Sequence, residues 1–100
     1  MKDWERSEKD CERNFGKKQP GSGAGMLKMD IKGMDNFAGE YYENKFTEKD
    51  SFSIRAETIK KAIRQARQMG GKPVIRIDFG SHNLKMILVE EVEWIKLHDS

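Results

Sequence analysis

Apolar residues recur along the chain at spacings that switch between the helical and the extended period. Residues 3–15 put Trp4, Cys11 and Phe15 on one side, at i, i+7 and i+11, with Glu5, Glu8, Lys9 and Glu12 off that stripe. The spacing predicts a helix, and Gly16 predicts its end. Residues 16–25 hold four glycines, one proline and one serine, a composition that predicts a flexible Gly/Ser loop. Over residues 27–32, Leu27, Met29 and Ile31 alternate with Lys28, Asp30 and Lys32, as in a strand with one apolar face. Gly33 to Gly39 predict a turn, and residues 40–46 a second strand. Its period of two puts Tyr41, Glu43 and Lys45 on one face and Tyr42, Asn44 and Phe46 on the other. Residues 51–55 predict a third short strand.

The clearest helix covers residues 56–69. Ile59, Ala62, Ile63, Ala66 and Met69 form its apolar stripe, while Lys60, Lys61, Arg64 and Arg67 take the remainder. Gly70-Gly71 stop it and Pro73 prevents its resumption. Strands over 74–79 and 84–89 flank a turn at Ser81-His82-Asn83, and residues 90–97 predict a short terminal helix. This order predicts an α/β fold: a mixed sheet flanked by helices, in a single domain over residues 1–100.

With 19 basic and 17 acidic residues the net charge is +2, so the total announces no polyanionic partner. The distribution says more. Residues 44–76 carry nine basic and three acidic side chains. Such a block is either a solvated face or a surface for a phosphate backbone. Cys11 is alone, which excludes an internal disulfide and suits a reducing compartment. With one cysteine and two distant histidines, His82 and His98, a zinc site is disfavoured. No apolar run reaches the roughly eighteen residues of a membrane span, and the charged N-terminus is unlike a secretory signal. A cytoplasmic location is expected. A chain of 100 residues buries a modest core, so dimerisation would supplement it.

Candidate chemistry lies in three stretches: Gly21-Ser22-Gly23-Ala24, Asp30, and Glu43-Asn44-Lys45. The loop lacks the Gly-Lys-Ser/Thr of a nucleotide-binding loop and the Gly-x-Gly-x-x-Gly of a dinucleotide site. Its amides and Ser22 can still face a phosphate, although a plain connector has the same composition. Glu43 and Lys45 share a strand face, and Asp30 sits on the preceding strand. Either this is a surface hairpin with cross-strand charge pairing, or two carboxylates and an ammonium serve one divalent cation. In the second case Asp30, Glu43 and the Asn44 carbonyl are the ligands of Mg²⁺ (or of Mn²⁺ in its place), which promotes phosphodiester hydrolysis. Lys45 orients the attacking water or neutralises developing charge. Glu5 adds a third carboxylate from the first helix, or is one of several exposed helix acids.

Taken together, Trp4-Glu5, Lys17-Lys18-Gln19-Pro20-Gly21-Ser22-Gly23-Ala24, Lys28-Met29-Asp30-Ile31-Lys32, Glu43-Asn44-Lys45-Phe46-Thr47, Ser51-Phe52-Ser53-Ile54, Glu57-Thr58 and Gly71-Lys72-Pro73-Val74 resemble one family. It is the archaeal-type Holliday junction resolvases of the kind encoded by bacteriophages, within the restriction-endonuclease-like PD-(D/E)xK nucleases. The resemblance implies a restriction-endonuclease-like fold and a Mg²⁺-dependent homodimer that nicks two strands of a four-way DNA junction. It implies that Asp30 and Glu43 bind metal, Lys45 is the catalytic lysine and Glu5 the helix-borne acid. Ser22 and Gly23 would belong to a loop that reaches the junction. Lys17, Lys18, Lys28, Lys60 and Arg64 are the expected phosphate contacts. Glu43 is preferred to Glu40 because it shares a face with Lys45 at i+2. Two positions depart from the family pattern: Asn44 stands where an apolar residue is usual, and Met29 where Gly is frequent.

Overall fold

The computed structural model describes residues 2–19 and 29–99. Helix α1 runs Asp3–Phe15, followed by strands β1 (Gly16–Lys18), β2 (Ile31–Gly33) and β3 (Glu40–Thr47). Helix α2 (Ala56–Gln68) then leads to β4 (Lys72–Phe79), β5 (Leu84–Leu88) and α3 (Glu91–His98). The sheet order is β1-β2-β3-β4-β5. Only β3 and β4 run parallel; the other neighbours are antiparallel. Parallel neighbours need a long crossover, which α2 supplies. This is the small α/β domain with a mixed sheet that the sequence predicts, and it agrees with a restriction-endonuclease-like fold.

The two sheet faces carry separate cores. Cys11 of α1 packs with Ile31, Tyr42 and Val74, joined by Phe15 and Phe37. The rings of Phe15 and Tyr42 stack at 4.5 Å. On the other face, Ala62 and Ala66 of α2 pack with Met29, Tyr41 and Ile75. Tyr41 and Tyr42 thus fall on opposite faces, as the period of two requires.

Several local expectations are corrected. Residues 16–18 are an edge strand rather than the start of a loop. Gly16 makes it fit: a Cβ there would lie 1.9 Å from the Lys32 carbonyl oxygen of β2. Residues 20–25 of the expected loop lie outside the described residues. The strand expected over 27–32 is confined to Ile31–Gly33, and residues 27 and 28 are likewise outside the described set. Asp30 occupies a bend, so the alternation does not pass through it, and Met29 and Ile31 enter different cores. Residues 51–55 form no strand; β1 takes the place in the element count that they were expected to fill. Trp4, expected on the buried stripe of α1, is half exposed, and Ser7 is buried instead.

Candidate active site

The ladder between β2 and β3 ends at the pair Ile31↔Tyr42. Beyond it the strands part, and the Asp30 side chain takes over the ladder's role: its Oδ2 accepts the Asn44 backbone N–H at 2.9 Å. The Asp30 carbonyl is held from the other side by the Gln19 N–H, also at 2.9 Å. Glu43 and Lys45 flank Asn44 and share the opposite strand face from its side chain. Lys45 Nζ is 3.2 Å from Glu43 Oε2, and each side chain keeps about a quarter to a third of its surface in solvent (26% and 31%). Asp30, Glu43 and Lys45 therefore meet where the two strands separate.

The electrostatics of this meeting are unbalanced. Burial pushes the Glu43 carboxyl above its ordinary range, and the negative charge of Asp30 pushes it further; the Lys45 ammonium only partly offsets them. Two carboxylates this close repel each other unless a proton or a cation stands between them. Among the described residues no group of three or more His, Cys, Asp and Glu side chains is gathered for a metal ion. A two-carboxylate set still suits Mg²⁺, which keeps several waters and binds through one or two carboxylates. The backbone adds to it. A strand residue's N–H and C=O point to the same side, so the Asn44 carbonyl faces the same edge as the N–H that Asp30 accepts. The donor chemistry fits a hard divalent cation.

Asn44 turns its side chain away, under α1. Its Nδ2 donates to Ser7 Oγ at 2.9 Å, and its Oδ1 accepts from Arg76 Nη1 at 2.8 Å. Arg76, 1% exposed, also donates to the Ser7 carbonyl at 3.1 Å and to Asp10. Ser7 Oγ donates in turn to the buried Asp78 at 2.6 Å. Sequence reading missed this cluster, although a signal was present. Arg76 and Asp78 interrupt the apolar run Val74-Ile75-Arg76-Ile77-Asp78-Phe79 on one strand face, and buried charge requires partners.

Glu5 is placed differently from Asp30 and Glu43. Its carboxylate accepts the Lys2 N–H at 3.1 Å and closes the helix N-terminus. One turn on, Glu8 has its carboxyl raised by burial and then by the charge of Asp30, and it lies 3.8 Å from Lys18 Nζ. Glu8 is thus a helix acid whose charge interacts with Asp30. Lys17 and Lys18 are exposed on β1, and Lys60 and Arg64 are exposed on α2. Ser22, Gly23 and Lys28 lie outside the described residues.

A five-stranded mixed sheet with helices on both faces is consistent with the restriction-endonuclease-like fold. The family model for archaeal Holliday junction resolvases (Hjc) matches residues 17–96, and the chain belongs to that family. The matched stretch contains Asp30, Glu43 and Lys45 and begins after α1, so it does not include Glu5. Neither the curated proteins nor the solved structures contain a match.

Proposed function

We propose that this chain is a Mg²⁺-dependent endodeoxyribonuclease that resolves four-way DNA junctions, with Mn²⁺ able to substitute. The observation that carries the reading is the meeting of Asp30, Glu43 and Lys45 at the parting of β2 and β3, inside the family match. In this reading Asp30, Glu43 and the Asn44 carbonyl hold the ion, and Glu5 is the further acid that the resemblance implies. A bound Mg²⁺ supplies a water of lowered pKa and counter-charge for the phosphorane-like transition state. Lys45, paired with Glu43, orients the attacking water and faces the same developing charge. The unbalanced Glu43 carboxyl keeps a proton to higher pH than an ordinary glutamate when no cation is present.

Lys17, Lys18, Lys60 and Arg64, with Ser22, Gly23 and Lys28, would contact phosphates and read the shape of the junction rather than its sequence. A homodimer suits a two-fold substrate. Its support is the apolar surface of β5 and α3, where Leu84, Met86, Ile87, Trp94, Ile95 and Leu97 are 48–65% exposed. A small domain rarely leaves that much apolar surface in water unless it is covered. Among the described residues no helix is long and apolar enough to cross a membrane.

The test is cleavage of a synthetic four-way junction with Mg²⁺, with EDTA, and with K45A. Paired nicks that need the ion and disappear in K45A support the reading. Equal cutting of junction and plain duplex would point instead to a general nicking nuclease. Junction binding without cleavage in Mg²⁺ or Mn²⁺ would point to a catalytically silent DNA-binding module. Asn44, the departure that would favour a silent module, has its side chain bonded on the face away from Glu43 and Lys45.

A further inference from the structure

The Asn44 N–H aims the Asp30 carboxylate from the edge of β3 where, after Ile31↔Tyr42, no β2 residue pairs. The other edge stays paired with β4, with Asn44 opposite Arg76. A second restraint comes from beneath. The Asn44 side chain is bonded to α1 through Ser7 Oγ and to β4 through Arg76. Arg76 is anchored by the Ser7 carbonyl and by Asp10, with Asp78 Oδ2 at 3.9 Å. Helix α1, β3 and β4 are therefore tied together at the one residue that lies between Glu43 and Lys45.

We propose that Arg76 is a positioning residue for the cleavage site, acting through the Asn44 side chain to fix the backbone amide that aims Asp30. The proposal rests on the reading of Asp30, Glu43 and Lys45 as the reactive group. Arg76 touches none of them. Its planar guanidinium spreads several donors in a fixed fork, so one side chain serves Asn44, Ser7 and Asp10 together. A lysine there keeps the positive charge that Asp10 and Asp78 need but cannot span the same partners. A fully bonded buried cluster of this kind restrains its members more tightly than apolar packing does.

The experiment compares wild type, R76K and N44V. Three readouts are taken on folded protein: Mn²⁺ affinity by calorimetry, steady-state junction cleavage, and hydrogen exchange of the residue-44 backbone amide. In wild type that amide, held against Asp30 Oδ2, should exchange slowly. In R76K its exchange should quicken, with Mn²⁺ affinity and kcat reduced about ten-fold or more and KM for the junction within about two-fold. N44V leaves Arg76 paired with Ser7 and Asp10 and removes only the link to β3. It should give the same three changes, and it serves as the test should R76K fail to fold. Folded variants that lose melting temperature yet keep wild-type amide exchange, Mn²⁺ affinity and kcat would overturn the proposal and leave Arg76 a structural role only. A wild type that neither binds Mn²⁺ nor cuts would overturn the nuclease reading alone. The amide exchange would then decide the positioning role.

Discussion

Beneath α1, Arg76 and Asp78 are almost wholly buried, and each is bonded within a closed set that includes Ser7, Asp10 and Asn44. On the opposite face of β3, Glu43 is partly exposed, pressed against a like charge, and only partly balanced by Lys45. The two regions are one residue apart on the chain. Asp10 and Glu43 show the contrast as titrations. Burial pushes the Asp10 carboxyl up, but Arg13 and Arg76 more than offset it and hold it below its usual range. Glu43 is held above its range. One face spends its charges on holding the fold. The other leaves negative charge unsatisfied, a condition that a cation relieves.

The largest effect should come from opening the closed set. R76A removes the cation and leaves Asp78 buried without it, a change that costs about 3–5 kcal/mol. Urea denaturation measures this loss, and an R76A protein as stable as wild type would dissolve the distinction between the faces. K45A acts on the open face. Junction cleavage should fall by about a hundred- to a thousand-fold, while stability and junction affinity hardly move. Normal cutting by K45A would remove Lys45 from the site.

The comparison sharpens with pH in the absence of divalent cations. Glu43, with a raised folded pKa, contributes fully below its ordinary value of 4.5, and the contribution is lost as pH rises through the raised value. E43Q should therefore melt higher than wild type at neutral pH, with the difference closing near pH 4.5. Asp10, with a lowered folded pKa, contributes above its ordinary value of 3.8 and is lost as pH falls through the lowered one. D10N should melt lower than wild type at neutral pH, and that gap should close in acid. The same sign from both variants would refute the contrast. Saturating Mg²⁺ should cancel the advantage of E43Q. The smallest effect should come from the exposed basic helix: K60A and R64A should each weaken junction binding and lower the salt slope by about one.

Most of the architecture was legible from residue spacing. The α2 stripe is long and strongly periodic, and the alternation in β3 placed Tyr41, Glu43 and Lys45 against Tyr42, Asn44 and Phe46. The failures have physical causes. Gly16-Lys17-Lys18 has no side-chain pattern of a strand; it pairs because Gly16 lets its backbone approach β2, which is a tertiary fact. Residues 51–55 have strand-forming composition but no neighbour to pair with. The period through residues 27–32 breaks at Asp30, whose side chain substitutes for a ladder carbonyl. For the site, order and face left a charged surface hairpin as open as a metal site, and only the family resemblance singled out Asp30, Glu43 and Lys45. The closeness of Glu8 to Asp30 could not be anticipated, because the acids of α1 all look alike in sequence. Nor could the role of the Asn44 side chain, which becomes visible only when Ser7 and Arg76 are brought beside it.

Asp30 has one further attachment. Its carbonyl accepts the N–H of Gln19, so the residue just after β1 is fastened to the same residue whose carboxylate accepts the Asn44 amide. A shift at the end of β1 is therefore delivered to this acid through a single hydrogen bond.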